Sequence, residues 1–150
     1  MAISAGLLPF RRQSRGIEVL IAHPGGPLFA RKDAGAWSVV KGQVDPGELA
    51  EAAAAREFAE ETGWAAPRQD WLSLGSVRLR SGKLVHAWAV EADFDPATLA
   101  PGQFTMFWHG RQQSFPEIDR VRWCEIELAR TLLNQAQTPF LDRLTRVAIA

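Results

Sequence analysis

Three glutamates between residues 42 and 64 have the spacing of a metal-binding helix face. Glu57, Glu60 and Glu61 stand at positions i, i+3 and i+4. On a helix, at about 100° per residue, their side chains share an arc of roughly 100°. Like charges at this spacing destabilise an isolated helix by roughly a few tenths of a kcal/mol per pair. Since hard divalent ions such as Mg²⁺ prefer carboxylate oxygens, the arc predicts a divalent-metal site.

The helix that carries these glutamates is predicted to begin near Glu48, after a Pro-Gly pair that stops extended structure. It runs to Thr62, and Gly63 stands where a C-terminal cap belongs. A glycine turn at Gly42 is expected to bend the backbone back toward the carboxylates. The helix face opposite the glutamates is expected to pack against a sheet or a neighbouring helix because its residues are small. These residues are Ala52, Ala55 and Ala59.

The remaining segments alternate between strand and helix patterns. Strands are predicted at residues 5–10, 17–23, 37–40, 72–80, 84–90 and 118–124. Helices are predicted at residues 126–133 and 140–149. Loops are predicted at residues 24–33 and 101–113, which contain prolines and glycines. A mixed sheet with one long central helix and two terminal helices is an α/β sandwich pattern.

Length and composition favour one cytoplasmic domain over residues 1–150. The chain has 17 Lys and Arg against 17 Asp and Glu, and this zero net charge argues against a general nucleic-acid or membrane-surface binder. Cys124 is the only cysteine, so a reducing compartment is the simpler interpretation and a place in the core is expected. No signal peptide is evident, and no apolar run approaches the ~18 residues of a membrane span.

The whole segment 42–64 has a fixed pattern. It reads glycine, five residues, glutamate, seven residues, Arg-Glu, an apolar residue, one residue, Glu-Glu, one residue, glycine and an apolar residue. This pattern resembles the Nudix box of the Nudix hydrolases at every fixed position. The WSVVKG sequence before the box, the FPEI sequence before Trp123 and the terminal PFLDRL sequence are also similar to that family. The resemblance implies a Nudix α/β/α sandwich with a mixed β-sheet.

The resemblance also implies an activity and a set of roles. The activity is hydrolysis of a nucleoside diphosphate linked to another moiety, with Mg²⁺ or Mn²⁺ as cofactor. Gly42, through its carbonyl, and the three glutamates of the arc are the implied metal ligands. Glu60 is also a candidate general base. The implied salt bridge between Glu48 and Arg56 locks the turn to the helix; Arg56 is grouped with the catalytic residues and Gly63 supports the box.

Outside the box the candidates are fewer. Glu117 precedes the strand of Trp123 and is a second candidate general base, against the alternative of an ion pair with Arg120 or Arg122. Glu91 is a weaker candidate for the same role. Three further residues flank the glycine turn and are predicted to contact substrate. The two cations among them would bind phosphates, with surface charge as the alternative. The tryptophan would stack on a base, with core packing as the alternative. These residues are Lys41, Arg31 and Trp37.

Two other classes of function stay open at this stage. A Nudix fold could bind a nucleotide or an ADP-ribose-like ligand without cleaving it, and a glutamate-rich helix could be only a solvated surface in which Arg56 pairs with Glu60. The expected partner is a small-molecule nucleotide, with neither membrane nor nucleic acid. Which nucleotide it is, and whether the protein forms a homodimer, do not follow from the sequence.

Overall fold

A computed structural model describes residues 2–149, and the side chains of residues 2–148. The first and last residues of the predicted domain 1–150 lie outside the described residues. The strands are β1 Ile3–Gln13, β2 Gly16–Pro24, β3 Val40–Gln43, β4 Leu72–Arg78, β5 Leu84–Glu91, β6 Gln103–Trp108, β7 Arg111–Pro116 and β8 Ile118–Glu125. The helices are α1 Ala50–Thr62, α2 Ile126–Leu132 and α3 Pro139–Ile149, with short 3-10 turns at Pro96–Thr98 and Gln135–Gln137. Within the described residues, no helix combines the length and hydropathy needed to cross a membrane.

The main sheet has six strands and is mixed, as predicted. Its order is β4-β5-β1-β2-β8, and β3 pairs with β1 beside this path. β1 runs parallel to β5, whereas the other pairs are antiparallel. The edge of β1 opposite β5 is divided: residues 4–7 pair with β3, and residues 10–13 pair with β2. β2 and β3 therefore diverge from a common strand.

Each face of this sheet carries one hydrophobic core. The first core contains residues of α2 and α3 such as Leu132, Phe140 and Leu144, packed on Leu8 and Ile21. The second contains the buried residues of α1, packed on the opposite face of β1 and β2. Neighbouring residues of a strand enter different cores because successive side chains point to opposite faces. The predicted α/β/α sandwich is confirmed, and Cys124 is buried in the first core.

The packing face of α1 differs from the prediction. Ala52 and Ala59 are exposed, and the buried residues are Ala53, Ala54, Ala55, Phe58 and Thr62. The prediction was wrong because the buried face is centred near Phe58, which lies about 100° around the helix from Glu57. The glutamate arc thus borders the buried face instead of opposing it. This placement brings part of the arc close to the sheet.

Two further predictions were wrong. Residues 101–113 were expected to form a loop, but β6 and β7 form a separate two-stranded hairpin. Its tip has positive φ at His109 (50°) and Gly110 (82°), the backbone that a two-residue hairpin turn requires. Gly42 does not lie in a turn, because it pairs with Ala5 as part of β3. The turn comes later, between β3 and α1.

Candidate active site

Gly42 and Glu57 are in direct contact where β3 meets α1. β3 pairs with β1, so that Gly42 lies opposite Ala5 and Lys41 lies opposite Gly6. A Cβ atom added at Gly42 would overlap the carboxylate of Glu57. Only glycine leaves room for this side chain above the strand. The contact therefore places the backbone of Gly42 beside the carboxylate of Glu57.

Arg56 connects the turn before α1 to the helix. Its Nε and Nη2 donate to the two oxygens of Glu48 at 2.9 and 3.0 Å, and Nη2 also donates to the Gln43 carbonyl at 3.1 Å. Its Nη1 donates to Glu57 Oε1 at 2.8 Å and to Glu60 Oε2 at 3.2 Å. The guanidinium lowers the pKa of Glu48 to about 2, and the bonds to Glu48 raise the pKa of Arg56. The implied Glu48–Arg56 salt bridge is present.

Gly63 ends α1 as predicted. Its φ of 78° is left-handed, and its N–H donates to the Ala59 carbonyl at 2.9 Å. A Cβ atom at Gly63 would also come within 2.7 Å of the Ala100 carbonyl oxygen. The chain after the helix can therefore pass close to the cap only because residue 63 is glycine. This passage brings residues 100–102 beside the C-terminal end of α1.

A cavity of about 170 Å³ opens between the diverging strands β2 and β3. It is lined by Ala22, Pro24, Ser38, Val39, Lys41, Glu61, Glu117 and Ile118. Burial raises the pKa of Glu61 to about 8, and the charges of Glu57 and Glu117 add to this shift. Burial, followed by the charge of Glu57, raises the pKa of Glu117. Burial and the charge of Lys83 lower the pKa of Lys41. The cavity thus concentrates carboxylates that repel one another.

These carboxylates fit a hard divalent cation by their chemistry, although they are not arranged around one. Among the described residues, no three acidic, histidine or cysteine side chains are close enough together to hold a metal ion. Arg56 occupies one oxygen of Glu57 and one of Glu60, and the other oxygen of each has no hydrogen-bond partner within the described part of the chain. Burial and then the charges of Glu57 and Glu117 raise the pKa of Glu61, and a cation would offset these charges. The donor set therefore suits Mg²⁺ or Mn²⁺.

Three backbone hydrogen bonds, here called the backbone chain, connect the surrounding segments. The N–H of Gly102 donates to the Glu60 carbonyl at 3.0 Å, and the N–H of Glu117 donates to the Gly102 carbonyl at 2.8 Å. The N–H of Gly25 then donates to the Glu117 carbonyl at 3.0 Å. Glu117 is thus held between the end of α1 and the loop after β2. The sequence gives no sign of these bonds, because any residue except proline can form them.

Several predicted residues lie elsewhere. Trp37 is only 2% exposed and donates from Nε1 to Asp33 at 2.8 Å, so the prediction that it stacks on a base was wrong. It is instead core packing. Arg31 is exposed and does not line the cavity. Glu91 forms an ion pair with Arg12 at 3.3 Å, at a different part of the sheet. The alternative of an ion pair between Glu117 and Arg120 or Arg122 is not observed among the described residues. Lys41 lines the cavity.

Comparison with known proteins agrees with this geometry. A family model described as the NUDIX domain matches residues 2–144. The chain belongs to the NUDIX family. The match extends well beyond the box and includes the main sheet, the hairpin and most of α3.

Individual relatives of this NUDIX protein match shorter segments. A putative 8-oxo-dGTP diphosphatase of Bacillus subtilis (strain 168) is 57% identical over 37 residues, 25% of each chain. An RNA pyrophosphohydrolase of Erythrobacter litoralis (strain HTCC2594) is 42% identical over 64 residues, 39% of this chain and 38% of that protein. The crystal structure of a C. elegans Ap4A hydrolase binary complex superposes with a TM-score of 0.70 at 22% identity, covering 97% of this chain and 98% of the other. This structural likeness shows the fold alone.

Proposed function

We propose that this NUDIX protein is a single-domain hydrolase that cleaves a phosphoanhydride bond with Mg²⁺ or Mn²⁺. The substrate is a nucleoside diphosphate linked to another moiety, such as a nucleoside triphosphate or a dinucleoside polyphosphate. One observation carries the proposal: Glu61 and Glu117 line the same cavity as Lys41, and burial, followed by the charge of Glu57, raises the pKa of both glutamates. Placing these charged groups close together costs free energy of folding, and bound cations and anions would offset this cost.

The metal would be held by the carbonyl of Gly42 and by the carboxylates of Glu57, Glu60 and Glu61. When bound, a divalent ion neutralises phosphate oxygens and lowers the pKa of water. Arg56 keeps the carboxylates of Glu57 and Glu60 on one side of the helix through its shared Nη1. Its role is therefore to orient ligands.

The protein's own residues supply the remaining steps. Lys41 binds a phosphate oxygen of the substrate in the cavity. Water attacks one phosphorus atom of the anhydride, and Glu60 or Glu117 takes a proton from that water. The bond between this phosphorus and the bridging oxygen breaks, which releases two phosphorylated products. Glu117 suits the role of base because its raised pKa makes it a stronger proton acceptor than a glutamate with the ordinary pKa.

The test is a hydrolysis assay with Glu60→Gln, Glu117→Gln and the control Glu51→Gln. Glu51 lies on the same helix as Glu60 and is exposed, so its variant should keep wild-type turnover. Glu60→Gln is expected to reduce kcat by several orders of magnitude without unfolding the protein. If Glu117 is the base, its variant should also lose the acidic limb of the pH–rate profile. Near wild-type turnover of Glu60→Gln would contradict the proposed metal-ligand role.

The substrate is proposed only as a chemical class. The relatives are named for 8-oxo-dGTP, RNA and Ap4A. The two nucleotides contain phosphoanhydride bonds, whereas RNA carries such a bond only at a 5′-polyphosphate end. The two curated relatives are matched over only 25% and 38% of their lengths, so their substrates are candidates for this chain and no more. A zero net charge disfavours long RNA because its affinity depends on phosphate contacts. A panel of nucleoside phosphates with product detection would identify the substrate.

The second candidate function is binding of a nucleotide or ADP-ribose-like ligand without cleavage. It is favoured by one observation, namely that no three acidic side chains among the described residues are arranged for a metal ion. Calorimetry with Mg²⁺ and ADP-ribose or ATP, followed by a phosphate assay on the same samples, separates the two functions. Tight binding without product would establish the binding protein, whereas product that depends on Mg²⁺ would establish the hydrolase.

A further inference from the structure

The hairpin formed by β6 and β7 has one face that is mostly apolar. The register pairs Phe104 with Phe115, Met106 with Gln113 and Trp108 with Arg111. These residues alternate with exposed ones along both strands, and all of them except Arg111 are half-buried. They form what we call the inner face. The outer face carries Phe107, which is 65% exposed, and polar side chains.

The inner face is not part of either hydrophobic core. Among the described residues, neither core contains any residue between Gln103 and Pro116. The aromatic rings therefore do not hold the main sheet together. The hairpin also contains no acidic residue, and Arg111 is its one formally charged side chain at neutral pH with histidines uncharged. An anionic ligand with an apolar part would meet no electrostatic repulsion there.

The inner face is continuous with the candidate active site. The ring of Phe104 packs on Gly26, where a Cβ atom would come within 2.7 Å of it. The neighbouring Gly25 donates its N–H to the carbonyl of Glu117, which lines the cavity. Glu117 directly follows Pro116, the last residue of β7. The hairpin base and the cavity thus share the same two loop segments.

The cavity alone is too small for a whole nucleotide. Its volume of about 170 Å³ is lined by Lys41 and carboxylates, which suit phosphates and metal. Small-molecule sites are usually about 300–1,000 Å³, so the rest of the ligand must lie outside. At about 3.3 Å per residue, the Met106–Gln113 pair is roughly 10 Å along the strand from Pro116. Trp108, at the hairpin tip, is farther from the cavity.

The centre of the inner face also offers a hydrogen-bonding group. Gln113 donates from Nε2 to the carbonyl of Trp108 at 2.7 Å, and its Oε1 has no partner among the described residues. A nucleobase requires both a surface for its ring and partners for its polar edge. The inner face provides the two together. An aliphatic chain would leave the amide oxygen without a partner.

We propose that the inner face of the β6–β7 hairpin binds the nucleobase of the substrate while the phosphates occupy the cavity. This inference rests on the proposed function, because it assigns the nucleoside part of the same substrate. The base packs on Met106 and Phe104, and the amide of Gln113 contacts its polar edge. Base identity is then read by the hairpin and not by the box.

The experiment compares the two faces of one strand. Met106→Ala removes an inner-face contact, and Phe107→Ala removes a larger apolar side chain from the outer face as a matched control. Each variant and the wild type are titrated by calorimetry, with Mg²⁺, against α,β-methylene analogues of ATP and GTP and against inorganic tripolyphosphate. Melting temperatures confirm that both variants are folded.

Met106→Ala is expected to weaken binding of at least one nucleotide analogue by about tenfold, because the contact of a methionine side chain with an aromatic ring contributes up to this order. Binding of tripolyphosphate should stay at the wild-type value in both variants, and Phe107→Ala should bind the nucleotides as the wild type does. Equal losses for tripolyphosphate and nucleotides, or equal losses in the two variants, would overturn the inference. So would unchanged nucleotide binding by Met106→Ala.

The same titrations separate this inference from the proposed function. If the wild type hydrolyses nucleotides and Met106→Ala binds them normally, the nucleobase site is refuted and the proposed hydrolase activity stands. If the wild type binds the analogues through Met106 but hydrolyses no member of the nucleotide panel, the proposed hydrolase activity is refuted and the nucleobase site is supported. Gln113→Leu, tested against the ATP and GTP analogues, should reduce the difference in affinity between the two bases.

Discussion

The box segment, residues 42–64, and the β6–β7 hairpin both lie near one cavity but are held in place differently. The box is fixed by side chains: the Glu57 carboxylate covers Gly42, and Arg56 bonds to Glu48, Glu57 and Glu60. The hairpin lies outside both cores and is joined to the box through the backbone at its base. We propose that the box supplies the residues for bond cleavage and the hairpin supplies the surface that identifies the ligand. Such a division would allow one chemistry to act on different molecules.

The largest expected effect comes from disturbing the box. Gly42→Ala places a methyl group where the Glu57 carboxylate lies, so this side chain or β3 must move. We expect a loss of about 1–3 kcal/mol in the free energy of unfolding, as for other overpacked sites. Turnover should fall by about 100-fold or more, because small displacements of positioning groups have that effect. Thermal unfolding and nucleotide hydrolysis measure the two effects.

Gly110→Ala is the matched change in the hairpin. Gly110 has φ of 82°, and no atom of the described residues lies within 4 Å of a Cβ atom added there. Its substitution should strain the tip by roughly 1–2 kcal/mol without affecting the box. Binding of inorganic tripolyphosphate should therefore survive in Gly110→Ala and weaken in Gly42→Ala. If Gly42→Ala keeps wild-type turnover, the box is less rigid than its contacts indicate.

A smaller effect is expected from pH in the metal-free protein. In the folded state the pKa of Glu61 is raised from 4.5 to about 8. Between these pH values the unfolded chain ionises this group while the folded chain keeps it protonated, so folding loses stability as the pH rises. The loss is on the order of a few kcal/mol at most. In EDTA, the melting temperature should fall between pH 5 and pH 8.

Glu61→Gln tests this origin directly. The variant should show a flatter dependence of melting temperature on pH, whereas Glu51→Gln, on the exposed side of the same helix, should keep the wild-type slope. Added Mg²⁺ should restore stability of the wild type at pH 8 by binding the folded state. An identical slope in the wild type and in Glu61→Gln would show that another group causes the pH dependence.

The smallest effect is expected on the outer face of the hairpin. Thr105 and Ser114 are paired across β6 and β7, and both are exposed. Because a cross-strand pair contributes roughly 0.2–1 kcal/mol, the double variant Thr105→Ala/Ser114→Ala should lose no more than this. Turnover and nucleotide affinity should equal those of the wild type. A clear loss of affinity would mean that the outer face also contacts the ligand.

The box and the hairpin also differ in how much of their structure could be predicted from the sequence. Three features depend on spacing within 23 residues: the glutamate arc, the Gly63 cap and the Glu48–Arg56 salt bridge. They could be predicted because helix geometry determines where residues at a given spacing lie. The hairpin was missed because an apolar residue, Phe107, interrupts the alternation of its two faces. Periodicity alone then does not distinguish a strand from a loop.

Other features depend on contacts between distant segments. Trp37 has the aromatic plane of a base-binding residue, and only the packing of α2 and α3 against the sheet shows that it is buried. The packing face of α1 was misjudged because Phe58 and Thr62 orient the helix more strongly than the alanines do. Such outcomes reflect tertiary packing, which local propensity does not contain.

The backbone chain has a consequence for how this protein tolerates sequence change. Glu60, Gly102, Glu117 and Gly25 are connected only through amide and carbonyl groups. Side-chain substitutions in the hairpin leave these groups in place, so the inner face can be altered while its attachment to the box persists. Proline at position 25, 102 or 117 would remove a donor and cut the attachment. The hairpin is therefore the segment to randomise when new base preferences are sought, with residues 25, 102 and 117 kept unchanged.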